Sequence, residues 1–234
     1  MDGLCIITAR GGSKRIPHKN IKEFCGKPII AYSIEAALKS GLFDEVMVST
    51  DDEKIANVSR QFGAAVPFMR SERTSNDFAT TADVLEEVLN EYEARGNAPE
   101  WFCCLYPTAP FVTPEELAGA AGMLEDSSVP SVVAVTGFDF PPQRAFLLGE
   151  DGELSWERSE FALARSQDLP PTAHDCGRFY LARVPDWRVE HSFVMPGCRG
   201  YSIDPSLVQD IDTPSDWKVA EMKYRIWQDE KESE

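Results

Sequence analysis

At 234 residues, 43% hydrophobic and 26% charged, the chain has the size and make-up of one globular unit with a sizeable core. A formal net charge of −16 argues against a general nucleic-acid binder, whose contact face would be basic. No apolar run approaches the roughly 18 residues needed to cross a bilayer.

The six cysteines show neither C-x-x-C nor zinc-type spacing, and Met1-Asp2 lacks the basic start of a secretion signal. A reduced, cytoplasmic protein with no membrane and no nucleic-acid partner is therefore expected. Residues 4–7 are a short apolar strand that stops at Thr8, followed by the loop ARGGSKRIPHKN at 9–20. Ile30, Ile34, Ala37 and Leu38 share a face over 28–40, a helix with Pro28 in its first turn and Gly41 after its end. A strand at 45–50 and a helix from Asp51-Asp52 to about Phe62 follow, then a short strand at 65–69. Alternating strands and helices predict a parallel sheet with helices packed on it.

Val84, Leu85, Val88, Leu89 and Tyr92 make 80–92 an amphipathic helix. The buried-looking strand 101–105 runs into Tyr106-Pro107-Thr108-Ala109-Pro110. Thr113 and Glu116 then form a capping box, with Pro114 as the first helical residue. A strand at 131–136 comes next. From 137 to 171 prolines, charges and short apolar runs predict hairpins or an arm inserted into a single domain spanning 1–234. The core resumes with strands at 178–182 and 199–203. A helix from Pro214 to about Trp227 closes the chain, with a frayed tail QDEKESE.

Three stretches carry possible chemistry. Between Arg10 and Lys22 lie five Lys/Arg and no Asp/Glu, beside two adjacent glycines. Glycines admit backbone amides close to a ligand, and with Lys/Arg they make an anion cradle suited to a polyphosphate; a solvated basic loop reads equally well. The loop is neither a Walker A nor a dinucleotide-binding motif. Asp210 and Asp212, two residues apart, suit one hard cation with water and substrate oxygens; the plainer reading has Asp212 assist the helix capped by Thr213. The third stretch, from Arg165 through Gln167 to His174 and Asp175, suits either a rigid ligand-binding wall or a turn.

The run Ala9 to Asn20 resembles the signature of the acylneuraminate (CMP-sialic acid) cytidylyltransferases, and the likeness continues to Asp210-Ile211-Asp212-Thr213. It implies a Rossmann-like, three-layer α/β/α nucleotidyltransferase with a mostly parallel sheet and a small β-rich insertion for dimerisation. It also implies transfer of CMP from CTP to a nonulosonic acid, with Mg²⁺ and a homodimer. By resemblance Arg10, Gly11, Ser13, Lys19 and Asn20 meet the triphosphate, with Arg10, Lys19 and Asp212 catalytic. Arg70, Ala79 and Thr81 fix the nucleoside, and Asp210 and Asp212 hold the metal. At the sugar end, Tyr106 and Asp175-Cys176-Gly177 depart from the sialic acid pattern, and RSQDLPPTAHDCGRFY at 165–180 is more similar to pseudaminic acid cytidylyltransferases. Tyr106, Arg165, Gln167 and Asp175 are then the expected sugar contacts. Neuraminate, legionaminate and 3-deoxy-manno-octulosonate enzymes are the alternatives, with a non-catalytic nucleotide binder outside the enzyme class.

Overall fold

The structure, a computed structural model, describes residues 2–233; Met1 and the last residue of the expected tail, Glu234, lie outside them. Strand β1 (Gly3–Thr8) sends Leu4 and Ile6 to one face and Cys5 and Ile7 to the other, all fully buried. A strand apolar on both faces needs cover on both sides, and each such side chain contributes roughly 1.5–3 kcal/mol of burial.

After β1 come a two-stranded ribbon, β2 (Glu23–Phe24) and β3 (Lys27–Pro28), then α1 (Ile29–Ser40) and β4 (Glu45–Ser49). The next elements are α2 (Glu53–Gln61), α3 (Glu72–Ser75), α4 (Thr81–Ala94) and β5 (Trp101–Leu105). They lead to α5 (Pro114–Met123), β6 (Ser131–Gly137), and the hairpin of β7 (Phe146–Leu148) and β8 (Leu154–Trp156). The chain ends with β9 (Ala173–Arg183), α6 (Val184–Glu190), β10 (Arg199–Ser202) and α7 (Pro214–Ser233).

The main sheet runs β10-β6-β9-β5-β1-β4, with β9 alone antiparallel to its neighbours. Ile30 and Ile34 of α1, Ile55 of α2 and Leu117 of α5 cover one face; Leu85, Val88 and Leu89 of α4 and Trp187 of α6 cover the other. This is the expected three-layer α/β/α sandwich with a mostly parallel sheet. A third, smaller core joins Ile16, Phe24 and Ile29 to Phe111, Ile211 and Trp217, fastening the basic loop to the start of α7.

Several expected boundaries change. Residues 65–69 form no strand: only Ala65 bridges to Met47, because Pro67 offers no amide to continue a ladder. The stretch 208–212 that carries the Asp210–Asp212 pair is irregular, so their spacing does not put both carboxylates on one face. Strand β9 begins at Ala173, since the polar, exposed residues before the apolar run still pair with β6. The tail continues as helix to Ser233 rather than fraying at Trp227; Lys231 lies over the Trp227 ring at 3.9 Å, one turn on. Neither α3 nor α6 was expected, both being too short to show a period.

Candidate active site

The basic loop leaves the end of β1, where open α/β sheets place their ligands. Two buried isoleucines hold it in place. Ile16 is 2% exposed and Ile211 1%, and their packing draws the loop against the segment that precedes α7. Their chain neighbours consequently meet: Arg15 pairs with Asp212 at 2.7 Å, and Lys19 donates to the Ile211 carbonyl at 2.7 Å. Asn20 is buried and donates its side-chain amide to the Arg10 carbonyl at 3.0 Å, closing the loop on itself. His18, in the left-handed region at φ 51°, makes the turn before Lys19.

Gly11 performs a different task from the one expected. Its amide donates to Asp51 at 2.8 Å, so that donor is committed to the scaffold. A Cβ there would come within 2.9 Å of the Asp52 side chain, which itself caps α2.

The cleft so formed encloses about 570 Å³, with Arg10, Ser13, Lys14, Arg15, Lys19 and Asn20 on its basic side. Asp77, Thr81, Tyr106, Thr108 and Asp212 face them. A smaller cavity of about 230 Å³ continues from it, sharing Thr8, Arg10, Asp77 and Thr81, and is walled by Arg70 and Ala79. Arg70 is buried, donating to the Ser49 carbonyl at 2.6 Å and hydroxyl at 3.1 Å. Burial pulls its pKa down to about 10, which leaves it charged at neutral pH.

Charge in the cleft is partly matched. Asp77 accepts from Lys14 at 2.5 Å and Arg10 at 3.1 Å, while Asp212 faces Arg15 and, at 3.5 Å, Lys19. Lys14 first and Arg10 second hold the Asp77 carboxyl below the usual carboxylate range. Four cations against two carboxylates leave a positive seat, continuous with a pocket sized for a ring system. That arrangement suits a nucleoside polyphosphate.

Comparison with known proteins decides the family. The family model described as cytidylyltransferase matches residues 4–144. The chain is 40% identical to the pseudaminic acid cytidylyltransferase of Campylobacter jejuni serotype O:2, over 97% of both chains. The chain belongs to the cytidylyltransferase family. It is also 32% identical to the CMP-N,N'-diacetyllegionaminic acid synthase of Legionella pneumophila, over 97% of both chains. Among solved structures, a CMP:2-keto-3-deoxy-manno-octonic acid synthetase complexed with CTP superposes with a TM-score of 0.68 at 22% identity, covering 98% of this chain and 100% of that one. That likeness supports the cytidylyltransferase fold.

Within this cytidylyltransferase the expected site residues divide. Arg10, Ser13, Lys19, Asn20, Thr81, Tyr106 and Asp212 line the larger cavity, and Arg70 and Ala79 the smaller one. Asp210 is exposed and does not line the cleft. Arg165 and Gln167 sit in an exposed turn between β8 and β9, Arg165 paired with Asp168 at 2.7 Å, and line neither cavity.

Asp175 connects to the cleft indirectly. A bulge in β9 turns at Gly177, whose φ of 62° suits glycine, and lets the Tyr180 hydroxyl donate to both Asp175 oxygens at 2.7 and 2.8 Å. The Tyr180 ring lies 5.4 Å from the Tyr106 ring that walls the cavity. No His174–Asp175 dyad forms, because His174 Nδ1 faces the Asp175 carbonyl, not its carboxylate.

Lys14, Arg15 and Asp77 line the cleft without having been singled out. The two cations belong to the same basic run, whereas nothing local marked Asp77. Among the described residues, no group of three or more His, Cys, Asp or Glu side chains converges as a metal site. Mg²⁺ is characteristically held by one or two carboxylates with water and substrate phosphates. Asp212 in the cleft fits an ion that arrives with its nucleotide.

Proposed function

We propose that this cytidylyltransferase transfers CMP from CTP to the anomeric hydroxyl of pseudaminic acid, giving CMP-pseudaminic acid and pyrophosphate. The observation that carries the reaction is the pair of joined cavities, one walled by four loop cations and the other by buried Arg70. The observation that favours the sugar is the 40% identity to a pseudaminic acid cytidylyltransferase, against 32% to the legionaminic acid enzyme.

In this reading Arg70, Ala79 and Thr81 hold the nucleoside, while Arg10, Ser13 and Lys19 hold the triphosphate. Asn20 keeps the loop closed around it. The sugar hydroxyl oxygen attacks the α-phosphorus in line and gives up its proton to Asp212 or to water, while the bond from the α-phosphorus to the bridging oxygen breaks and pyrophosphate leaves with that oxygen. Charge builds on the departing pyrophosphate, where fixed cations stabilise the transition state more than the ground state. No covalent enzyme intermediate is required. Asp212, the member of the Asp210–Asp212 pair that lines the cleft, would hold Mg²⁺, which would neutralise triphosphate charge. Tyr106, braced by Tyr180 and Asp175, forms the wall that meets the sugar.

The inserted arm, 137–171, would serve a homodimer. Phe146, Leu147, Leu148 and Leu154 of its hairpin are all more than half exposed, a face that a second copy would cover. Arg165 and Gln167 ride on this arm, so their approach to the sugar depends on where it docks. Among the described residues no helix is long and apolar enough to cross a membrane; work in the cytoplasm, where CTP is available, is part of the proposal.

A panel of pseudaminate, legionaminate, N-acetylneuraminate and 3-deoxy-manno-octulosonate, each with CTP and Mg²⁺, tests the reading through pyrophosphate release. Pseudaminate should be turned over far faster than the others. Preferential turnover of legionaminate or neuraminate would reassign the sugar, and CTP binding without turnover of any would leave a nucleotide-binding protein.

A further inference from the structure

The segment 71–80 lines the smaller cavity through Thr74, Asn76, Ala79 and Thr80, and its Asp77 lines both cavities. Its backbone is secured without that carboxylate. At one end Glu87 accepts from the Ser71 amide and hydroxyl and from Thr74; at the other, Thr80 and Asp83 form the capping box of α4. At the turn, Asn76 accepts from the Phe78 and Ala79 amides. Asp77 is therefore available for another task.

Its carboxylate lies on Arg10 and Lys14, the position phosphate oxygens would take, at the boundary shared by the two cavities. The pairs are wet: the Arg10, Lys14 and Asp77 side chains are 41%, 77% and 49% exposed. Such pairs are weak and exchange readily for a better anion. We propose that Asp77 is a displaceable internal anion, which competes with phosphate for Arg10 and Lys14 and thereby limits the site's grip on polyphosphate, above all on leaving pyrophosphate. The asymmetry follows from the contacts. CTP also has the Arg70 pocket to hold it, whereas pyrophosphate depends on the cations alone. The inference rests on reading the cleft as the CTP site.

The test is calorimetry with inorganic pyrophosphate on the full chain, comparing wild type with Asp77→Asn and Asp77→Ser. Both variants should bind pyrophosphate several-fold more tightly, on the order of tenfold at low salt, with a steeper loss of affinity as salt rises. Pyrophosphate should also become a stronger product inhibitor, while CTP affinity changes less. Equal or weaker pyrophosphate binding in both variants, at unchanged melting temperature, would overturn the proposal and make Asp77 a latch for the segment. Failure of the wild type to bind CTP would instead overturn the reading of the cleft; the pyrophosphate comparison would still decide what Asp77 does.

Discussion

At Asp212 one carboxylate meets a guanidinium at 2.7 Å and an ammonium at 3.5 Å inside the cleft, so its charge is poised between scaffold and ligand. Asp212→Asn keeps the shape and removes the charge. Turnover should fall by roughly 10²–10³-fold or more with an unchanged circular dichroism spectrum; rates near wild type would remove Asp212 from the chemistry. Asp175 acts on the opposite wall. Burial, then Tyr106 and Asp175, pushes the Tyr180 phenol far above its ordinary range, so it remains a donor to Asp175 at all working pH values. In Asp175→Asn that acceptor loses its charge and the Tyr180–Tyr106 wall loosens. The KM for the sugar should rise several-fold while CTP affinity stays put; matched losses in both would mark Asp175 as a general structural residue.

At the scale of elements, the first turn of the segment 71–80 is held by one side chain of α4, Glu87. Burial alone would raise the Glu87 carboxyl, yet the bonds from Ser71 and Thr74 outweigh it and hold it below the ordinary glutamate value. A carboxylate with a depressed folded-state pKa stabilises fully above its unfolded pKa and loses that contribution as pH falls through the folded value. The segment should accordingly loosen below about pH 4.3, the ordinary glutamate pKa, seen as faster hydrogen exchange at 71–80 while the sheet stays protected. Glu87→Gln should reproduce this at neutral pH, at a cost of about 0.5–1.5 kcal/mol after solvent screening. Exchange that does not respond to either change would mean that Asn76 and the α4 cap suffice.

For the whole molecule, the small core around Ile16 and Ile211 fastens the cleft, and the arm is proposed to build the dimer. Leu148 and Leu154, 73% and 59% exposed, sit on the hairpin. Leu148→Asp with Leu154→Asp should shift the sedimentation of a dimer toward the monomer, because a buried unpaired charge costs an interface more than the lost apolar area. Unaltered sedimentation would place the interface elsewhere.

The order of strands and helices, the cap at Thr113, and the basic character of 9–20 were legible in the sequence. Each is a local matter: apolar period, cap chemistry and charge density act over a few residues. Residues 65–69 misled because an apolar, β-prone run is interrupted by one proline, and α6 escaped because seven residues show too little period. The tertiary structure alone decided which charges meet. Lys14 and Arg15 were part of a basic run, but their partners are remote in sequence: Asp212 arrives through the packing of Ile211 on Ile16 and Asp77 on the hydrogen-bonded segment 71–80, and neither contact carries a record of the charges it brings together. For the same reason the sequence named Asp210 with Asp212, whereas packing of Ile211 turned only Asp212 into the cleft. It likewise grouped Asp175 with Arg165 and Gln167, although the β9 bulge ties Asp175 to Tyr180 and the other two lie in an exposed turn that lines neither cavity. Spacing along a chain fixes which residues share a face only while the backbone is regular, and at both places it is not.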